Sequence, residues 1–126
     1  MQIFGRNHSL VDSEHLLLFA AISIAKPGFS KILEIGTADG STSAILTLLF
    51  PDAQIITIDL PKEDKKFSES YNRFEIADKY VQKRDRLLRK FPNINFIELN
   101  SIRLSEWFDQ KFDLIWVDGA HGYPVL

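Results

Sequence analysis

The sequence predicts one α/β domain built on a parallel β-sheet, because short apolar segments alternate with helical segments along its 126 residues. Four of these segments are brief, apolar and rich in β-branched residues, which is typical of buried strands. They are Lys31–Ile35, Ile55–Asp59, Asn95–Leu99 and Phe112–Val117. Strands that alternate with helices in this way join in parallel through right-handed crossovers. The whole chain, 1–126, is therefore expected to form a single domain.

Helices are predicted where apolar residues recur at steps of three and four. The first begins at Asp12 or Ser13 and ends near Lys26, where Pro27 and Gly28 stop it. The other helical segments are Ser41–Phe50, Arg73–Phe91 and the short connection Ser101–Phe108.

Two features of the middle of the chain are polar. The stretch Leu60–Asn72 carries mixed charges and is predicted to be an exposed loop. Arg84 falls within the apolar stripe of the third helix, so its guanidinium must pair or reach solvent along its aliphatic stem. The other basic residues of that helix fit a solvated outer face better than an RNA-binding patch, because the total charge is balanced.

The composition indicates a soluble protein of a reducing compartment, and we expect the cytoplasm. The formal net charge is −2, so no basic excess draws the chain to nucleic acid or to an anionic membrane. The absence of cysteine excludes disulfides, cysteine-based zinc sites and thiol nucleophiles. The longest apolar run, Leu16–Ile22, is much shorter than the roughly 20 residues of a membrane-spanning helix.

Candidate functional residues are those that directly follow the strands, because ligands of parallel sheets bind beyond the carboxyl ends of the strands. The first strand leads into the turn Gly36–Gly40. Gly36 permits a sharp turn and a close approach of a ligand, and Gly40 relieves crowding where the second helix begins. Exposed N–H groups at that helix start favour anionic groups. The alternative is a plain strand-to-helix turn with Ser41 as its cap.

Acidic and imidazole side chains follow the other strands. Asp59 ends the second strand about 20 residues beyond Gly36, which suits a carboxylate that binds two ribose hydroxyls. Asp118 and His121 follow the fourth strand, where a carboxylate can bind a hard cation and an imidazole can act as a general base. The alternatives are a solvated Asp59, an Asp118 that caps a following helix, and a His121 that is merely exposed.

These motifs resemble those of a known family. The segment ILEIGTADGSTSAIL resembles the first motif of class I S-adenosylmethionine-dependent methyltransferases, and IITIDL resembles the second. NFIELNS and FDLIWVDGAHGY are similar to the family's third and fourth strand ends. The likeness is greatest to the small-molecule O-methyltransferase-like group with E-I-G-x-x-x-G and D-G-x-H-x-Y motifs. It implies a Rossmann-like sheet in the order 3-2-1-4, from which the family's three further strands are missing.

The resemblance also implies how the methionine part of S-adenosylmethionine is bound. Gly36, Thr37 and Gly40 would approach it, and Glu34 would orient its amino group through the loop. Ala38 departs from the family pattern, because many other methyltransferases have glycine at this position.

For the rest of the cofactor, the resemblance implies that Asp59 holds the ribose hydroxyls and that Leu60 covers one face of the adenine. Asn100 and Ser101 would lie at the adenine rim, although Asn100 replaces a residue that is commonly acidic. Asp118 would lie below the reactive methyl group, where metal-dependent relatives place a divalent-cation ligand. Mg²⁺ is therefore a second expected cofactor.

The predicted function is S-adenosylmethionine-dependent O-methylation of a small molecule, with possible help from a divalent metal. One alternative is a cofactor-binding fragment, truncated after the fourth strand and incomplete as a catalyst. A dinucleotide-binding oxidoreductase is disfavoured, because its G-x-G-x-x-G pattern requires three glycines. Two of them are absent here, since the matching positions hold Gly36, Ala38 and Ser41. The fourth strand, Phe112–Val117, would form an apolar sheet edge, so we expect a homo-oligomer that associates through it.

Overall fold

The computed structural model describes residues 2–3, 6–7, 10–69, 77–107 and 109–119, with side chains in 14–69, 78–106 and 109–119. Its strands are β1 Gln2–Ile3, β2 Arg6–Asn7, β3 Lys31–Ile35, β4 Gln54–Asp59, β5 Ile94–Glu98 and β6 Leu114–Val117. Its helices are α1 Leu10–Ala25, α2 Ser41–Leu49, α3 Lys65–Glu69, α4 Ala77–Leu88 and, after a 3₁₀ turn at Ser101–Arg103, α5 Leu104–Trp107. Within these ranges, no helix has the length and apolar character needed to cross a bilayer.

The central sheet has four parallel strands in the order β5-β4-β3-β6. The strands β3 to β6 are the first to fourth strands of the sequence prediction. Their order is therefore the predicted 3-2-1-4, which the structure confirms. In the register of the sheet, Glu34 of β3 lies between Thr57 of β4 and Trp116 of β6. The strands β1 and β2 form a separate antiparallel pair that the sequence analysis did not predict.

Alternate residues of each strand point to opposite faces of the sheet, so the core has two layers. One layer packs against α1 and α2 and contains Phe19, Ile32, Leu46 and Ile55, among others. The other is smaller and is formed by Leu33, Ile56, Ile58 and Leu99. Both layers run along the sheet below the strand ends, which holds those ends in fixed positions.

The segment predicted as an exposed loop, Leu60–Asn72, contains the helix α3, and that prediction was wrong. The Asp64 carboxylate accepts a hydrogen bond from the Lys66 N–H at 2.8 Å, which caps the helix start. Phe67 is buried and meets Tyr80 of α4 edge to face. The mixed charges of this stretch gave no sign of the helix α3, whose buried Phe67 ring packs against α4.

Arg84 confirms the expectation that it must pair. Its side chain is only 1% exposed, and it forms an ion pair with Asp85 at 2.9 Å. Its guanidinium also lies 4.0 Å above the centre of the Phe96 ring. The described part of the third predicted helix is Ala77–Leu88; its predicted start, at Arg73, lies outside the described residues.

Candidate functional site

The turn after β3 is bound to the ends of both neighbouring strands. The N–H groups of Gly36 and Thr37 donate to the Ile58 carbonyl of β4 at 2.8 and 3.2 Å. On the other side, the Asp118 N–H donates to the Ile35 carbonyl at 2.8 Å. Gly36 has a φ of 103°, and a Cβ there would overlap the backbone carbonyl of Asp118. The glycine is therefore required by the chain itself, which passes close to it after β6.

Three residues of the turn adopt left-handed backbone conformations: Gly36, Ala38 with φ 50° and Gly40 with φ 81°. Gly40 caps α2 with its backbone, and a Cβ there would lie 2.8 Å from the Leu88 side chain of α4. The predicted role of Gly40 in relieving crowding fits this geometry. Ser41 is not the cap; its N–H instead donates to the Asp39 carboxylate at 3.0 Å.

Asp59 ends β4 and faces the turn. One carboxylate oxygen accepts from the Ala38 N–H at 2.9 Å, and the other accepts from the Leu60 N–H at 2.8 Å. A carboxylate has about four acceptor positions, so each oxygen can still accept one further hydrogen bond. The backbone thus orients the carboxylate and leaves capacity for the two hydroxyls of a ribose.

Glu34 is buried below the turn, with its side chain 1% exposed. Its Oε2 accepts hydrogen bonds from the hydroxyls of Ser43 and Thr57. The Thr57 hydroxyl is also 2.7 Å from the hydroxyl of Thr37, which belongs to the turn. Any effect of Glu34 on a ligand must therefore pass through the loop, as the resemblance implied, and not through a direct contact.

Burial raises the pKa of Glu34 to about 7 from a usual 4.5. The hydrogen bonds from Ser43 and Thr57 oppose this rise, whereas the negative charges of Asp118 and Asp59 add to it. These three carboxyl groups therefore act on one another electrostatically. Asp59 and Asp118 make the carboxyl ends of β4 and β6 a region of negative potential that favours a cationic ligand.

The predicted adenine side is formed by residues at the ends of β4 and β5. The Leu99 N–H donates to the Asp59 carbonyl at 2.8 Å, so the two strand ends are joined. The Asn100 side-chain oxygen accepts from the Ile102 N–H at 3.0 Å and caps the 3₁₀ turn. Its amide NH₂ remains as a donor, and Leu60 and Ser101 beside it are half-buried.

The expected Mg²⁺ site is not supported. Asp118 is exposed at the end of β6, but among the described residues no group of three His, Cys, Asp or Glu side chains could hold a metal ion. Mg²⁺ usually binds one or two carboxylates and several waters, so Asp118 by itself would form only a weak site. His121 lies outside the described residues.

Sequence reasoning missed Ser43 and Thr57, the two hydroxyl groups that bind Glu34. A signal was present for Thr57, which is a polar residue inside the otherwise apolar strand IITID. Ser43 gave no comparable signal, because a serine in the first turn of a helix is common.

No family model matches the sequence, and no curated protein matches it. Solved structures share its fold. A protein assigned as a caffeoyl-CoA O-methyltransferase from Staphylococcus aureus is 24% identical at a TM-score of 0.64, over 90% of this chain and 48% of its own. The S-adenosylhomocysteine-bound methyltransferase PaMTH1 of Podospora anserina is 18% identical at a TM-score of 0.61, and the match covers 83% of this chain and 40% of PaMTH1. A spermidine synthase in complex with the transition-state analogue AdoDATO is 20% identical at a TM-score of 0.56, and the match covers 85% of this chain and 33% of the synthase.

These comparisons confirm the predicted fold, a Rossmann-like sheet of the class I methyltransferase type. The chain spans about half the length of the Staphylococcus aureus protein. A spermidine synthase is among the proteins that share this fold, so the fold alone does not identify which group is transferred.

Proposed function

We propose that this chain binds S-adenosylmethionine at the carboxyl ends of β3 and β4, and that it serves the methylation of an oxygen atom of a small molecule. The observation that carries the proposal is the Asp59 carboxylate, which the N–H groups of Ala38 and Leu60 hold against the turn. Structures with this fold include an S-adenosylhomocysteine-bound methyltransferase, which supports the choice of cofactor.

The described residues suit the cofactor part by part. Asp59 offers two oriented oxygens to the ribose hydroxyls, and Leu60 follows it on the side proposed for the adenine. Asn100 contributes an amide donor there, because its oxygen is already engaged. The negative charges of Asp59 and Asp118 suit a ligand that carries a sulfonium and an ammonium group.

When bound, S-adenosylmethionine supplies an electrophilic methyl group. The acceptor oxygen has to be aligned with that methyl and has to lose its proton. Asp118 is exposed beyond the end of β6, where its carboxylate can accept a proton from an acceptor that enters from solvent. His121 stays a second predicted base. Positioning supplies most of the rate in such a transfer, so a rigid turn matters more than a strong base.

A second candidate is aminopropyl transfer, which the structural similarity to a spermidine synthase favours. An acidic site also suits a polyamine acceptor, because amines are cationic at neutral pH. A comparison of S-adenosylmethionine with its decarboxylated form separates the two activities. Tighter binding of the decarboxylated form would favour aminopropyl transfer.

Isothermal titration calorimetry against S-adenosylmethionine and S-adenosylhomocysteine tests the proposal, with NADH titrated in parallel. We expect Asp59→Ala to weaken cofactor binding by about 1.5–3 kcal/mol, or roughly 10- to 150-fold, because it loses hydrogen bonds to a charged group. Asp52→Ala is the matched control: Asp52 is exposed in the turn before β4, at the opposite end of that strand, and its loss should leave binding unchanged.

Two results would contradict the assignment. A preference for NADH would replace it with dinucleotide binding. An Asp59→Ala variant with wild-type affinity would remove this carboxylate from the site.

A further inference from the structure

Glu34 is a buried ionisable group that the proposed transfer does not use directly. Its Oε2 receives the hydroxyls of Ser43 from α2 and Thr57 from β4, and Thr57 in turn contacts the Thr37 hydroxyl at 2.7 Å. Thr37 is held through its backbone as well as through its hydroxyl. Its N–H donates to the Ile58 carbonyl, and its carbonyl accepts from the Gly40 N–H at 2.9 Å. The cluster thus connects one buried carboxyl group to the backbone of the candidate ligand loop.

The charge of Glu34 determines the direction of the hydrogen bonds in this cluster. A threonine hydroxyl has one proton to donate. When Glu34 is ionised, Thr57 donates to it, and Thr37 must then donate to Thr57. When Glu34 is protonated, its O–H can donate to Thr57, and the chain of hydrogen bonds then runs in the opposite direction. The ionised form holds Thr57, Thr37 and the turn more firmly, because Oε2 then accepts two charge-assisted hydrogen bonds, which are stronger than neutral ones.

The charged groups that act on Glu34 belong to the neighbouring strand ends, whereas α2, which supplies Ser43, carries no charged residue. Asp59 at the end of β4 and Asp118 beyond β6 both disfavour its ionised form by charge repulsion. On the α1 side, His15 stacks on Trp116, the neighbour of Glu34 in the sheet register. On the α4 side, Arg84 lies over Phe96, which neighbours Thr57, and is paired with Asp85.

The repulsion from Asp59 and Asp118 has a consequence for ligand binding. A positive charge placed near those two carboxylates lowers the pKa of Glu34, whereas the negative charges of the carboxylates raise it. Both interactions act through the same low-dielectric surroundings. We propose that Glu34 is a proton-linked positioning residue, which loses its proton to solvent when a cationic ligand binds at the turn Gly36–Gly40 and then stabilises that turn through Thr57 and Thr37. The identity of the ligand as S-adenosylmethionine rests on the proposed function.

The linkage predicts the direction and size of a pH effect. The free carboxyl group has a pKa of about 7, so below neutral pH binding must first remove its proton. If the ligand lowers this pKa by about two units, affinity rises about tenfold between pH 5.5 and 7. This range lies below the titration of an α-amino group, so the ligand's ammonium stays charged throughout.

The test is calorimetric titration of S-adenosylmethionine at pH 5.5 and 7, in two buffers with different ionisation enthalpies. For the wild-type chain we expect the tenfold rise in affinity and the release of about 0.7 of a proton at pH 5.5 and about 0.5 at pH 7. Glu34→Gln mimics the protonated acid. With a two-unit shift it should bind about fourfold more weakly than the wild type at pH 5.5 and about 50-fold more weakly at pH 7, and without this proton release. Asp52→Asn, the same chemical change on an exposed residue, should behave as the wild type.

A second pair of variants covers the case that Glu34→Gln does not fold. Thr57→Val removes a hydrogen bond that favours ionised Glu34, so the rise in affinity should move to higher pH, whereas Thr57→Ser should leave it in place. Wild-type binding that is equally tight at both pH values would overturn this inference and leave the proposed function in place. A Glu34→Gln variant whose affinity still rises between pH 5.5 and 7 would do the same. Wild-type protein that binds no S-adenosylmethionine at either pH would overturn the proposed function, and the inference with it.

Discussion

At the residue scale, the turn after β3 depends on backbone conformations that most side chains avoid. Gly36, Ala38 and Gly40 all have positive φ values, and only the alanine carries a Cβ. The left-handed conformation costs an L-residue about 1–2 kcal/mol. Many methyltransferases have glycine where this chain has Ala38, and the observed φ of 50° explains why glycine suits that position. The hydrogen bond from the Ala38 N–H to Asp59 holds the residue in this conformation.

Ala38→Gly should therefore stabilise the folded chain by up to about 1 kcal/mol, because relief of the left-handed strain exceeds the added entropy of the unfolded state. Urea unfolding followed by circular dichroism measures the change. Ala21→Gly is the matched control: this exposed residue lies within α1, so the same substitution should cost roughly 0.5–1 kcal/mol. A destabilised Ala38→Gly variant would show that the alanine contributes packing that outweighs its strain.

Glu34 should make the stability of the chain depend on pH. Its pKa is about 7 in the folded state, against 4.5 for an ordinary glutamate, so between these values the folded state binds more protons than the unfolded one. The protonated form of Glu34 is favoured in the folded state, so its contribution to the free energy of unfolding is complete below pH 4.5. This contribution is lost as the pH rises to about 7. The free energy of unfolding should then fall by about 3 kcal/mol over this range.

Urea unfolding from pH 4.5 to 8 on the wild type and on Glu34→Gln isolates this contribution as the difference between the two curves. The wild type should lose stability relative to the variant up to about pH 7, and the difference should be constant above it. A constant difference across the whole range would mean that Glu34 is already ionised at pH 4.5.

At the scale of elements, individual side chains connect short segments to the rest of the fold. Asp113 lies just before β6 and not within it, and its carboxylate accepts from the N–H groups of Ser30 and Lys31 at 2.7 and 3.0 Å. These backbone hydrogen bonds keep the pKa of Asp113 below its usual value and join the starts of β6 and β3. On the other side of the domain, Phe67 attaches α3 to α4 through its contact with Tyr80.

Removal of the Phe67 ring should detach α3. The side chain is 1% exposed, and a buried Phe→Ala change typically costs 3–5 kcal/mol. We expect Phe67→Ala to lower the free energy of unfolding by about this amount in urea titrations, and Lys66→Ala, on the exposed side of the same helix, to change it by less than about 0.5 kcal/mol. Equal small effects in both variants would show that α3 adds little to the fold.

At the scale of the whole molecule, β6 forms one edge of the described sheet. On the face away from α1, its Ile115 and Val117 side chains are 53% and 46% exposed. Unpaired backbone groups beside apolar side chains are the usual template for association between sheets. The predicted homo-oligomer through this edge therefore stays a prediction, with a defined surface on which to test it.

Size-exclusion chromatography with light scattering should show that this 126-residue chain self-associates as its concentration rises. Ile115→Lys should reduce that association, because a charge on the edge disfavours pairing with a second copy. Leu17→Lys tests the specificity, since Leu17 is 70% exposed on α1, the helix that packs on the Trp116 face of β6 and not on the face of Ile115 and Val117. A wild-type chain that stays monomeric at all concentrations, or that responds only to Leu17→Lys, would contradict association through β6.

The sequence by itself determined the parallel sheet, the helices α1, α2, α4 and α5, and the strand-end positions of Asp59 and Asp118, because hydrophobic period and glycine placement are local signals. It did not predict α3, because Phe67 packs against Tyr80 of α4, and a contact between two elements does not follow from the local pattern of either one. The tertiary structure alone decided that Gly36 makes room for the Asp118 backbone and that Gly40 makes room for Leu88. It also decided that Glu34 lies beneath the loop with Ser43 and Thr57. Burial and charge at such a position depend on which elements cover it, and one segment of sequence does not contain that information.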